Sequence, residues 1–593
     1  MNKPLLKDPK FYTEDPLVFL LCDAYKTGHI NQQPLGTDSF FENLTARSHT
    51  YFNTPLDFDG SVFMGLQRLV LRWLVGSFDN FFKTPFNQVE AEYLEYMDGV
   101  LGKGVVKSAH LKELHELGYI PLEIRAVPEG SLVPIRVPFL TIENTVDGFG
   151  WLTGYFEDLW SNELWKPCVL ATKALHFRRV LEQYANETGA AQAFIDYQAH
   201  NFALRGMSGM FDDANSSVGQ LIYFKGSDSF PSVWTANRFY NPEGDVSVSE
   251  IANSVAATEH SVTCLNIAVY AEELKATPEY ANVTEAELLS KAEELFQRRL
   301  ITEVYPSGIF SFVSDTNDFF DTITTKAIAN KDAIMARDGK LVYRPDSGNP
   351  YHILCGYTWD GDNHLSKGVK PDPRIEGENL YSETEYADTK RFPRRYAEEN
   401  GFETYCVDNV FYSVKDDRVL SIEEVKGAVR ILSEIFGYTV NAAGYKELDP
   451  HVGLIYGDAI NINTMTRILS RLKENGFCSS NVVFGVGSFE FQFVTRDTLG
   501  IAMKATAGKV NGKHYNIAKN PKTDDGTKKS AKGYLIVYRE DDGTLTLKDD
   551  LTREQYETLR GSERDAMRTV YLNGNVKILE SIRTIRERAA QWI

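Results

Sequence analysis

An arginine, an aspartate and a serine follow a short apolar run in the segment Arg344-Pro345-Asp346-Ser347-Gly348. A guanidinium suits a phosphate or carbonyl oxygen, and a carboxylate can accept hydrogen bonds from sugar hydroxyls or help to hold a cation. The segment is therefore a candidate site for a phosphorylated ligand. Proline, aspartate, serine and glycine are also turn residues, so these residues alone leave a structural turn equally open.

A second candidate is the glycine-rich turn Gly485-Val486-Gly487-Ser488, which follows the apolar residues Val482–Phe484. The backbone N–H groups of such a turn can hold a phosphate. The turn lacks the lysine and the serine or threonine of a P-loop, which excludes that class of nucleotide site. A tight structural turn stays open as the alternative.

Histidines provide two further candidates. In Glu259-His260-Ser261 an ionisable imidazole stands beside a carboxylate, although a lone histidine is more often a surface or core residue. The segment His200-Asn201-Phe202 with Arg205 is ambiguous, because Phe202 alone predicts a core position and Arg205 a solvated or capping one. The early segment Asp23-Ala24-Tyr25-Lys26 predicts a polar helix start.

Four polar clusters follow short apolar runs that predict strands. The runs and their clusters are Ile309–Val313 with Ser314-Asp315, Leu341–Tyr343 with Arg344-Pro345-Asp346, Leu454–Tyr456 with Gly457-Asp458, and Val482–Phe484 with Gly485-Val486-Gly487-Ser488. Parallel α/β barrels and open sheets bind their ligands beyond the carboxyl ends of their strands. The pattern therefore predicts a barrel-like α/β core whose strand ends carry the site.

Helix signals lie between these strands. Ser421 and Glu424 form a capping-box pattern for a helix that ends at Gly437, and Asn463 begins another that ends at Gly476. Asparagine and serine suit the first position because their side chains accept hydrogen bonds from the N–H groups of the first turn. The alternation of strands and helices favours parallel strand pairing.

The N-terminal third mixes both types of pattern. The spacing in Val62–Val75 predicts a helix, whereas Ile120–Val127 and Phe139–Ile142 predict strands. The predicted parts of the chain are a mixed α/β flanking domain over residues 1–180, an α/β barrel over residues 181–500, and a C-terminal segment over residues 501–593 that returns to the flanking domain.

Two segments differ in composition from the rest of the chain. Residues 351–418 are rich in glycine, aspartate, proline, lysine and tyrosine with weak periodicity, which predicts a surface insertion in the barrel. Residues 518–533 predict a loop with a local excess of lysine. Its lysines are Lys519, Lys522, Lys528, Lys529 and Lys532.

The 593-residue chain is acidic, with 63 Lys and Arg against 82 Asp and Glu and a net charge of −19. This charge argues against nucleic acid as a partner, although local arginines and lysines can still hold a small anion. Hydrophobic residues make up 43% and charged residues 24%, as in soluble globular enzymes.

The six cysteines form no C-x-x-C pair, and no early apolar run suits a signal peptide or membrane span. We therefore expect a cytoplasmic protein without a membrane partner.

Taken in order, these segments resemble the nicotinamide phosphoribosyltransferase family. The resemblance rests on Asp23-Ala24-Tyr25-Lys26, Val62-Phe63-Met64-Gly65-Leu66-Gln67, Glu123-Ile124-Arg125-Ala126-Val127-Pro128-Glu129-Gly130, Thr141-Ile142-Glu143-Asn144-Thr145, His200-Asn201-Phe202 with Arg205-Gly206, Phe224-Lys225-Gly226-Ser227-Asp228, Glu259-His260-Ser261, Val313-Ser314-Asp315, Arg344 to Pro350, Gly457-Asp458 and Thr495-Arg496-Asp497. It spans nearly the whole chain apart from residues 351–418.

The resemblance implies an α/β fold with an irregular (β/α) barrel of the type II phosphoribosyltransferase kind and a mixed α/β flanking domain. It implies formation of nicotinamide mononucleotide and pyrophosphate from nicotinamide and phosphoribosyl pyrophosphate in NAD salvage. The implied cofactors are Mg²⁺ and ATP, the latter as a co-substrate. The implied assembly is a homodimer with shared active sites.

The resemblance also implies roles for single residues. Phe202 of one subunit and Tyr25 of the other would stack on the pyridine ring. Asp228 would accept a hydrogen bond from the carboxamide and repel the carboxylate of nicotinate. His260 would be the histidine that ATP phosphorylates, with Glu259 orienting its ring.

The remaining implied residues fall into groups. Arg344 would meet the carboxamide oxygen and phosphate groups, and with His260, Asp228 and Asp346 it forms the implied catalytic set. The residues implied for ribose are Asp346, Gly457 and Asp458, those for the 5′-phosphate are Arg205, Gly487 and Ser488, and those for pyrophosphate or ATP phosphates are Arg47, Arg496, Lys504, Lys519 and Lys528. Ser254, Ser314 and Asp318 match positions that line the family's pocket, and Asp318 is the candidate metal ligand.

Two residues depart from the family pattern. Asn201 stands where the family has aspartate, and Ser488 stands where it has glycine. We expect Asn201 to keep an acceptor and the function to survive. Ser488 would cost about 1 kcal/mol if its φ were positive.

Two alternative functions remain open. One is a nicotinate phosphoribosyltransferase, which the charge of Asp228 argues against. The other is a non-catalytic binding protein on the same fold, which the presence of His260, Arg344, Asp346, Asp458 and Arg496 argues against.

Overall fold

The computed structural model describes residues 15–359, 391–407, 409–519 and 531–593. The chain divides into two compact units. Of the described residues, those within 1–178, 203–253 and 491–593 form the antiparallel unit, and those within 179–202 and 254–490 form the parallel unit. Residues 203–253 thus group with the antiparallel unit, whereas the predicted boundaries place them in the barrel.

The described strands lie in both units. In chain order they are β1 (Thr37–Thr45), β2 (Ser61–Val62), β3 (Leu122–Ala126), β4 (Leu132–Val133), β5 (Pro138–Asn144), β6 (Ala199–Asn201), β7 (Ala256–Ala257), β8 (Phe310–Val313), β9 (Leu341–Arg344), β10 (Thr404–Val407), β11 (Val410–Ser413), β12 (Val419–Leu420), β13 (Tyr438–Val440), β14 (Lys446–Leu448), β15 (Val452–Tyr456), β16 (Val482–Val486), β17 (Ala502–Val510), β18 (Lys513–Asn516), β19 (Tyr534–Arg539), β20 (Leu545–Leu551), β21 (Arg568–Leu572) and β22 (Asn575–Val576).

The described helices are mostly short. The α-helices are Leu66–Leu69, Phe78–Lys83, Phe86–Leu101, Ala109–Leu117, Trp151–Tyr155, Glu157–Thr188, Gln192–Gln198, Met210–Ser216, Val218–Leu221, Phe230–Phe239, Val248–Ile251, His260–Lys275, Glu285–Arg299, Phe319–Asp321, Ala327–Ala329, Lys331–Met335, Pro350–Cys355, Arg391–Glu399, Ile422–Lys426, Ala428–Phe436, Ile462–Glu474, Ser488–Gln492, Arg553–Leu559 and Ile582–Ala589. Stretches of π-helix are Val70–Ser77, Leu300–Val304 and Thr322–Lys326. Turns of 3₁₀-helix are Val18–Leu20, Ala24–Gln32, Leu204–Gly206, Pro278–Tyr280, Ser479–Asn481, Arg496–Thr498 and Ala590–Trp592.

The antiparallel unit is built on a seven-stranded sheet with the order β18-β17-β1-β5-β3-β21-β22. Its strand pairs are antiparallel. Apolar residues of the central strands, such as Ile124 and Phe139, are completely buried, and they share one core with Trp160 and Tyr571. This core explains why the two segments that predict strands, Ile120–Val127 and Phe139–Ile142, form β3 and β5.

The parallel unit is built on a six-stranded sheet with the order β6-β16-β15-β9-β8-β7. All of its strand pairs are parallel. Since parallel strands point the same way, the polar clusters that follow them lie at one edge of the sheet. The predicted α/β class is confirmed, with the parallel strands forming a half-barrel.

Three helix boundaries differ from the sequence predictions. The helix predicted over Val62–Val75 begins at Leu66, because Gly65 adopts a φ of 108° and ends the preceding loop. The helix predicted from Ser421 is broken after Lys426 at Gly427, whose backbone packs directly on that of Gly356.

The third boundary concerns the helix predicted to begin at Asn463. Its N-cap is Asn461, whose Oδ1 accepts a hydrogen bond from Thr464 N at 3.0 Å. Both asparagines precede apolar residues, and only the backbone conformation decides which of them caps the helix.

The predicted insertion is described in part. After residues 360–390, which lie outside the described residues, it contains the helix Arg391–Glu399 and a three-stranded sheet β10-β11-β12. No helix of the described residues is long and apolar enough to cross a membrane.

Candidate active site

The loop after β9 is held at the edge of the parallel sheet by its neighbours. The Tyr456 hydroxyl at the end of β15 donates to the carbonyl oxygens of Ser347 (2.9 Å) and Gly348 (3.0 Å). Burial, and then the charges of Asp458, Asp315 and Asp346, raise the pKa of Tyr456 well above its usual value. The carboxylates of Asp315, Asp346 and Asp458, which follow three strands of the sheet, therefore lie in the neighbourhood of this hydroxyl.

Asp315, which follows β8, organises this region. Its Oδ2 accepts hydrogen bonds from Ser347 Oγ (2.6 Å) and Asp346 N (3.0 Å), and its Oδ1 lies 3.1 Å from His260 Nε2. Burial alone would raise the pKa of Asp315, but these hydrogen bonds lower it. The carboxylate is therefore charged at neutral pH and holds the imidazole on one side.

Asp315, and not Glu259, is the carboxylate that contacts His260. The Glu259 side chain instead accepts a hydrogen bond from Ser261 N at 2.9 Å and caps the helix His260–Lys275. Sequence adjacency suggested Glu259, but a side chain at the N-cap is used by the backbone of its own helix. The strand-end position of Asp315 was the available signal.

Arg344 ends β9 with its guanidinium against two neighbours. Its Nη2 donates to Thr258 O at 2.7 Å, and its Nε lies 3.5 Å from Asp346 Oδ2. Nε is buried and has no hydrogen-bond partner among the described residues. A buried guanidinium N–H without a partner is costly, so this group is suited to bind an oxygen of a ligand.

Phe202 follows β6 and lies over two glycines. A methyl group at Gly485 would fall 2.6 Å from Phe202 Cε2, and one at Gly457 would fall 3.5 Å from Phe202 Cδ2 and 3.0 Å from Asp346 Oδ1. Phe202 N also donates to Val486 O at 2.9 Å. The glycines thus make room for the ring beside the carboxylate of Asp346. We call this arrangement the Phe202 cradle (Phe202, Gly457 and Gly485).

Other predicted residues of the parallel unit have structural roles or exposed positions. Ser314 is buried, and its hydroxyl donates to Phe312 O (2.7 Å) and accepts from Arg344 N (3.1 Å). Asp318 accepts a hydrogen bond from Asp321 N and caps a short helix. Ser254 and Asp458 are exposed.

The two departures lie in different surroundings. Ser488 begins the helix Ser488–Gln492 and is not among the described residues with positive φ, so the strain considered for it does not arise. A methyl group added at the preceding residue, Gly487, would meet no atom within 4 Å. Asn201 is completely buried in β6.

The antiparallel unit carries a cluster of cations. Burial lowers the pKa of Lys504, and the charges of Arg47, Arg496 and Lys519 lower it further, against an opposing effect of Glu157. Arg47 Nε donates to Gly500 O at 2.8 Å, which fixes its side chain beside the start of β17. Four of the five cations predicted for phosphate groups thus lie together, and the fifth, Lys528, lies outside the described residues.

Tyr25 lies on the 3₁₀-helix Ala24–Gln32 with 57% of its surface exposed. The adjacent Lys26 is buried and forms an ion pair with Glu157, and Asp23 N donates to Asp158 Oδ2 at 2.8 Å. The exposed ring is therefore presented from a firmly attached segment. Within the same unit, Arg205 and Asp228 are also exposed.

Comparison with known proteins assigns the chain to a family. The family model described as "Nicotinate phosphoribosyltransferase (NAPRTase) family" matches residues 197–575. The chain is 39% identical over 580 residues to the nicotinamide phosphoribosyltransferase of Acinetobacter baylyi, with 96% of each chain covered. This chain belongs to the NAPRTase family.

Further relatives of this NAPRTase-family chain include the nicotinamide phosphoribosyltransferase of Mycoplasma pneumoniae. It is 29% identical over 530 residues, which cover 87% of this chain and 94% of that one. The crystal structure of human nicotinic acid phosphoribosyltransferase matches with a TM-score of 0.46 and 13% identity, covering 96% of this chain and 93% of that one.

The site of this NAPRTase-family chain also contains residues that sequence reasoning missed. They are Asp315 as the partner of His260, Gly485 as the floor under Phe202, and Tyr456 as the anchor of the loop after β9. Gly485 was noted only as part of a turn, because nothing in the sequence indicates which ring lies above it.

Proposed function

We propose that this chain is a nicotinamide phosphoribosyltransferase, which forms nicotinamide mononucleotide and pyrophosphate from nicotinamide and phosphoribosyl pyrophosphate in NAD salvage. The observation that carries the proposal is the Phe202 cradle beside Arg344 and Asp346 at one edge of the parallel sheet. An aromatic face suits a flat pyridine ring, and the adjoining cation and carboxylate suit an amide oxygen, a phosphate and ribose hydroxyls. Relatives named for this activity along almost the full chain support it.

In this reaction the bond from the ribose C1′ to pyrophosphate breaks, and a bond from C1′ to the pyridine nitrogen forms. Positive charge develops on the ribose while negative charge leaves on pyrophosphate. Arg47, Arg496 and Lys504 would stabilise the leaving group, because fixed cations that face developing charge lower the barrier. Phe202 would hold the pyridine ring, and Asp346 with Asp458 would orient the ribose through its hydroxyls.

Asp228 is proposed to select nicotinamide over nicotinate. A carboxylate can accept a hydrogen bond from the carboxamide N–H₂ but repels the negative charge of nicotinate. The loop that carries Asp228 leaves this side chain exposed, which a ligand-binding group requires.

Mg²⁺ is the proposed metal. It usually keeps several waters and binds through one or two carboxylates together with substrate phosphates. Asp346 and Asp458, which follow the neighbouring strands β9 and β15, suit this mode, whereas both oxygens of Asp315 are already in contact with His260, Ser347 and the backbone. Among the described residues no group of three or more histidines, cysteines or acids could hold a metal ion by itself, so substrate phosphates would have to supply the remaining ligands. When bound, the metal would add positive charge at the pyrophosphate.

His260 is proposed to accept the γ-phosphoryl group of ATP. The contact between Nε2 and Asp315 would keep the proton on Nε2 and leave the lone pair of Nδ1 for attack on the γ-phosphorus, with ADP as the leaving group. Hydrolysis of the phosphohistidine would then regenerate the imidazole and release phosphate. The phosphohistidine would add charge and acceptor oxygens that improve the capture of the other substrate.

A homodimer is the proposed assembly. Met210, Phe211, Phe230 and Trp234 in the antiparallel unit expose between 57% and 82% of their surfaces. Large exposed apolar patches mark interaction surfaces. A second copy of the chain, which would cover these rings, is the occupant that the family resemblance implies.

The direct test is to incubate the full chain with phosphoribosyl pyrophosphate, Mg²⁺ and nicotinamide and to measure nicotinamide mononucleotide by chromatography. We expect turnover in the wild type and its loss in Arg344→Ala. The absence of product in the wild type, with the protein folded by circular dichroism, would contradict the proposal and favour a binding protein.

A further inference from the structure

Asp228 is an exposed loop residue, and the residues on either side of it in the sequence are buried. Ser227 is 5% exposed and Ser229 is 1% exposed, whereas the side chain between them faces outward. Ser229 N donates to Ser227 Oγ at 3.1 Å, which closes the loop on itself. The backbone that carries the Asp228 side chain is therefore positioned by the contacts that hold these two serines.

A buried carboxylate holds Ser229. Asp213, in the helix Met210–Ser216, is completely buried and accepts hydrogen bonds from the hydroxyl of Ser229 and from Ser217 Oγ, the latter at 2.7 Å. Ser229 Oγ in turn caps the helix Phe230–Phe239 by accepting from Ser232 N. Burying a carboxylate is costly unless its oxygens receive such donors. The helix cap requires only the hydroxyl of Ser229, so it does not account for the buried carboxylate of Asp213.

The other side of the loop is tied to a separate segment. Ser227 N donates to Asn253 O at 3.1 Å, and Asn253 N donates to Lys225 O at 2.7 Å. Arg586 in the helix Ile582–Ala589 donates to the carbonyl oxygens of Leu221 (2.8 Å) and Ile251 (2.6 Å). These two residues lie shortly before Lys225 and Asn253 in the sequence. The loop is therefore held at both sides, and Asp213 is the charged group on the Ser229 side.

We propose that Asp213, acting through Ser229, is a positioning residue that sets the Asp228 carboxylate for selection of nicotinamide over nicotinate. The inference rests on the proposed function, because it assigns a role to a neighbour of the residue that would contact the carboxamide. A misplacement of about 1 Å in a binding group can cost on the order of 100-fold in rate. Loss of the hydrogen bonds on one side of the loop should shift it by less than this distance. We therefore expect the selectivity of the enzyme for nicotinamide over nicotinate to fall by about tenfold.

Two serines that share Asp213 offer a matched pair of variants. Ser229→Ala and Ser217→Ala each remove one hydroxyl donor from the same buried carboxylate, but only Ser229 adjoins Asp228. We expect Ser229→Ala to lower the ratio of kcat/KM for nicotinamide to that for nicotinate by about tenfold, and Ser217→Ala to leave it within about twofold. Thermal unfolding of both variants reports the purely structural effect.

Two further variants complete the test. Ser229→Thr keeps the hydroxyl and should restore the ratio, and Asp213→Asn, which keeps the size of the side chain, should lower it as Ser229→Ala does. The KM for phosphoribosyl pyrophosphate should stay within about twofold in all four variants. Asp213→Asn also covers the case in which Ser229→Ala does not fold.

The outcomes separate this inference from the proposed function. An unchanged ratio in Ser229→Ala and Asp213→Asn, in an otherwise active enzyme, would overturn the inference alone. An equal fall in Ser229→Ala and Ser217→Ala would also overturn it, because loosening of the fold would then explain both. A wild type that does not use nicotinamide would overturn the proposed function and the inference together.

Discussion

The contact between His260 and Asp315 can be tested with the substitution Asp315→Asn. Asparagine keeps the size of the side chain but removes the charge that faces Nε2, Ser347 Oγ and Asp346 N. A hydrogen bond that involves a charged group contributes about 1.5–3 kcal/mol. His260 is 43% exposed, so water competes for the imidazole and the lower end of this range applies.

A loss of about 1.5 kcal/mol corresponds to about a tenfold change in an equilibrium or rate constant. We therefore expect the stimulation by ATP, measured as the rate with ATP divided by the rate without it, to fall about tenfold in Asp315→Asn. The assay is the initial rate of nicotinamide mononucleotide formation at a series of ATP concentrations. Acid-labile labelling from γ-labelled ATP would report the proposed phosphohistidine directly and should fall in parallel.

The matched control is Glu259→Gln, which changes the carboxylate next to His260 in the sequence. Glu259 caps its own helix, so this variant should keep its stimulation by ATP. Full stimulation in Asp315→Asn, or an equal loss in both variants, would contradict the assignment of Asp315 as the partner of His260.

Three further predictions concern stability, the cradle and assembly. Burial alone would raise the pKa of Glu403, but hydrogen bonds from His352 and the backbone lower it from 4.5 to about 2. The charged carboxylate therefore adds to the free energy of unfolding above pH 4.5, and this contribution is lost as the pH falls toward 2. Thermal unfolding of the wild type and Glu403→Gln should therefore differ near pH 6 and converge at low pH. Gly485→Ala should displace Phe202 and raise the KM for nicotinamide by about threefold to tenfold, the equivalent of losing a stacking contact. Trp234→Glu should convert a dimer to a monomer, as measured by size-exclusion chromatography with light scattering.

Each of these predictions has a control or a contradicting result. A difference in unfolding temperature that is constant over this pH range would show that Glu403 does not act through its charge. Gly453→Ala, in β15, places a methyl group against the side chains of Lys340 and Val342, so it should leave the KM for nicotinamide unchanged. A wild type that is already monomeric, or a Trp234→Glu variant that stays dimeric, would contradict the proposed interface.

Four of the six strands of the parallel sheet could be predicted from sequence because they contain continuous apolar runs, whereas β6 and β7 have no such run. Phe310–Val313, Leu341–Arg344 and Val452–Tyr456 lie within one or two residues of the predicted segments. Strands that are buried on both faces carry this signal without any knowledge of their partners. The polar clusters beyond them followed from the same runs.

Contacts between distant segments could not be predicted in this way. Asp315 lies 55 residues from His260 in the sequence, and Gly485 lies far from Phe202, so neither pairing has a local pattern. Sequence adjacency favoured Glu259, which the backbone of its own helix uses. Helix starts were misplaced where a backbone angle decided the boundary, as at Gly65.

The most direct test of the proposed activity is competition between nicotinamide and nicotinate. The full chain would receive both substrates with phosphoribosyl pyrophosphate, Mg²⁺ and ATP, and the two mononucleotides would be separated and counted. We expect nicotinamide mononucleotide to dominate in the wild type and the preference to shrink in Asp228→Ala, which has lost the repelling charge. Nicotinate mononucleotide as the main product of the wild type, or an unchanged preference in Asp228→Ala, would contradict this account.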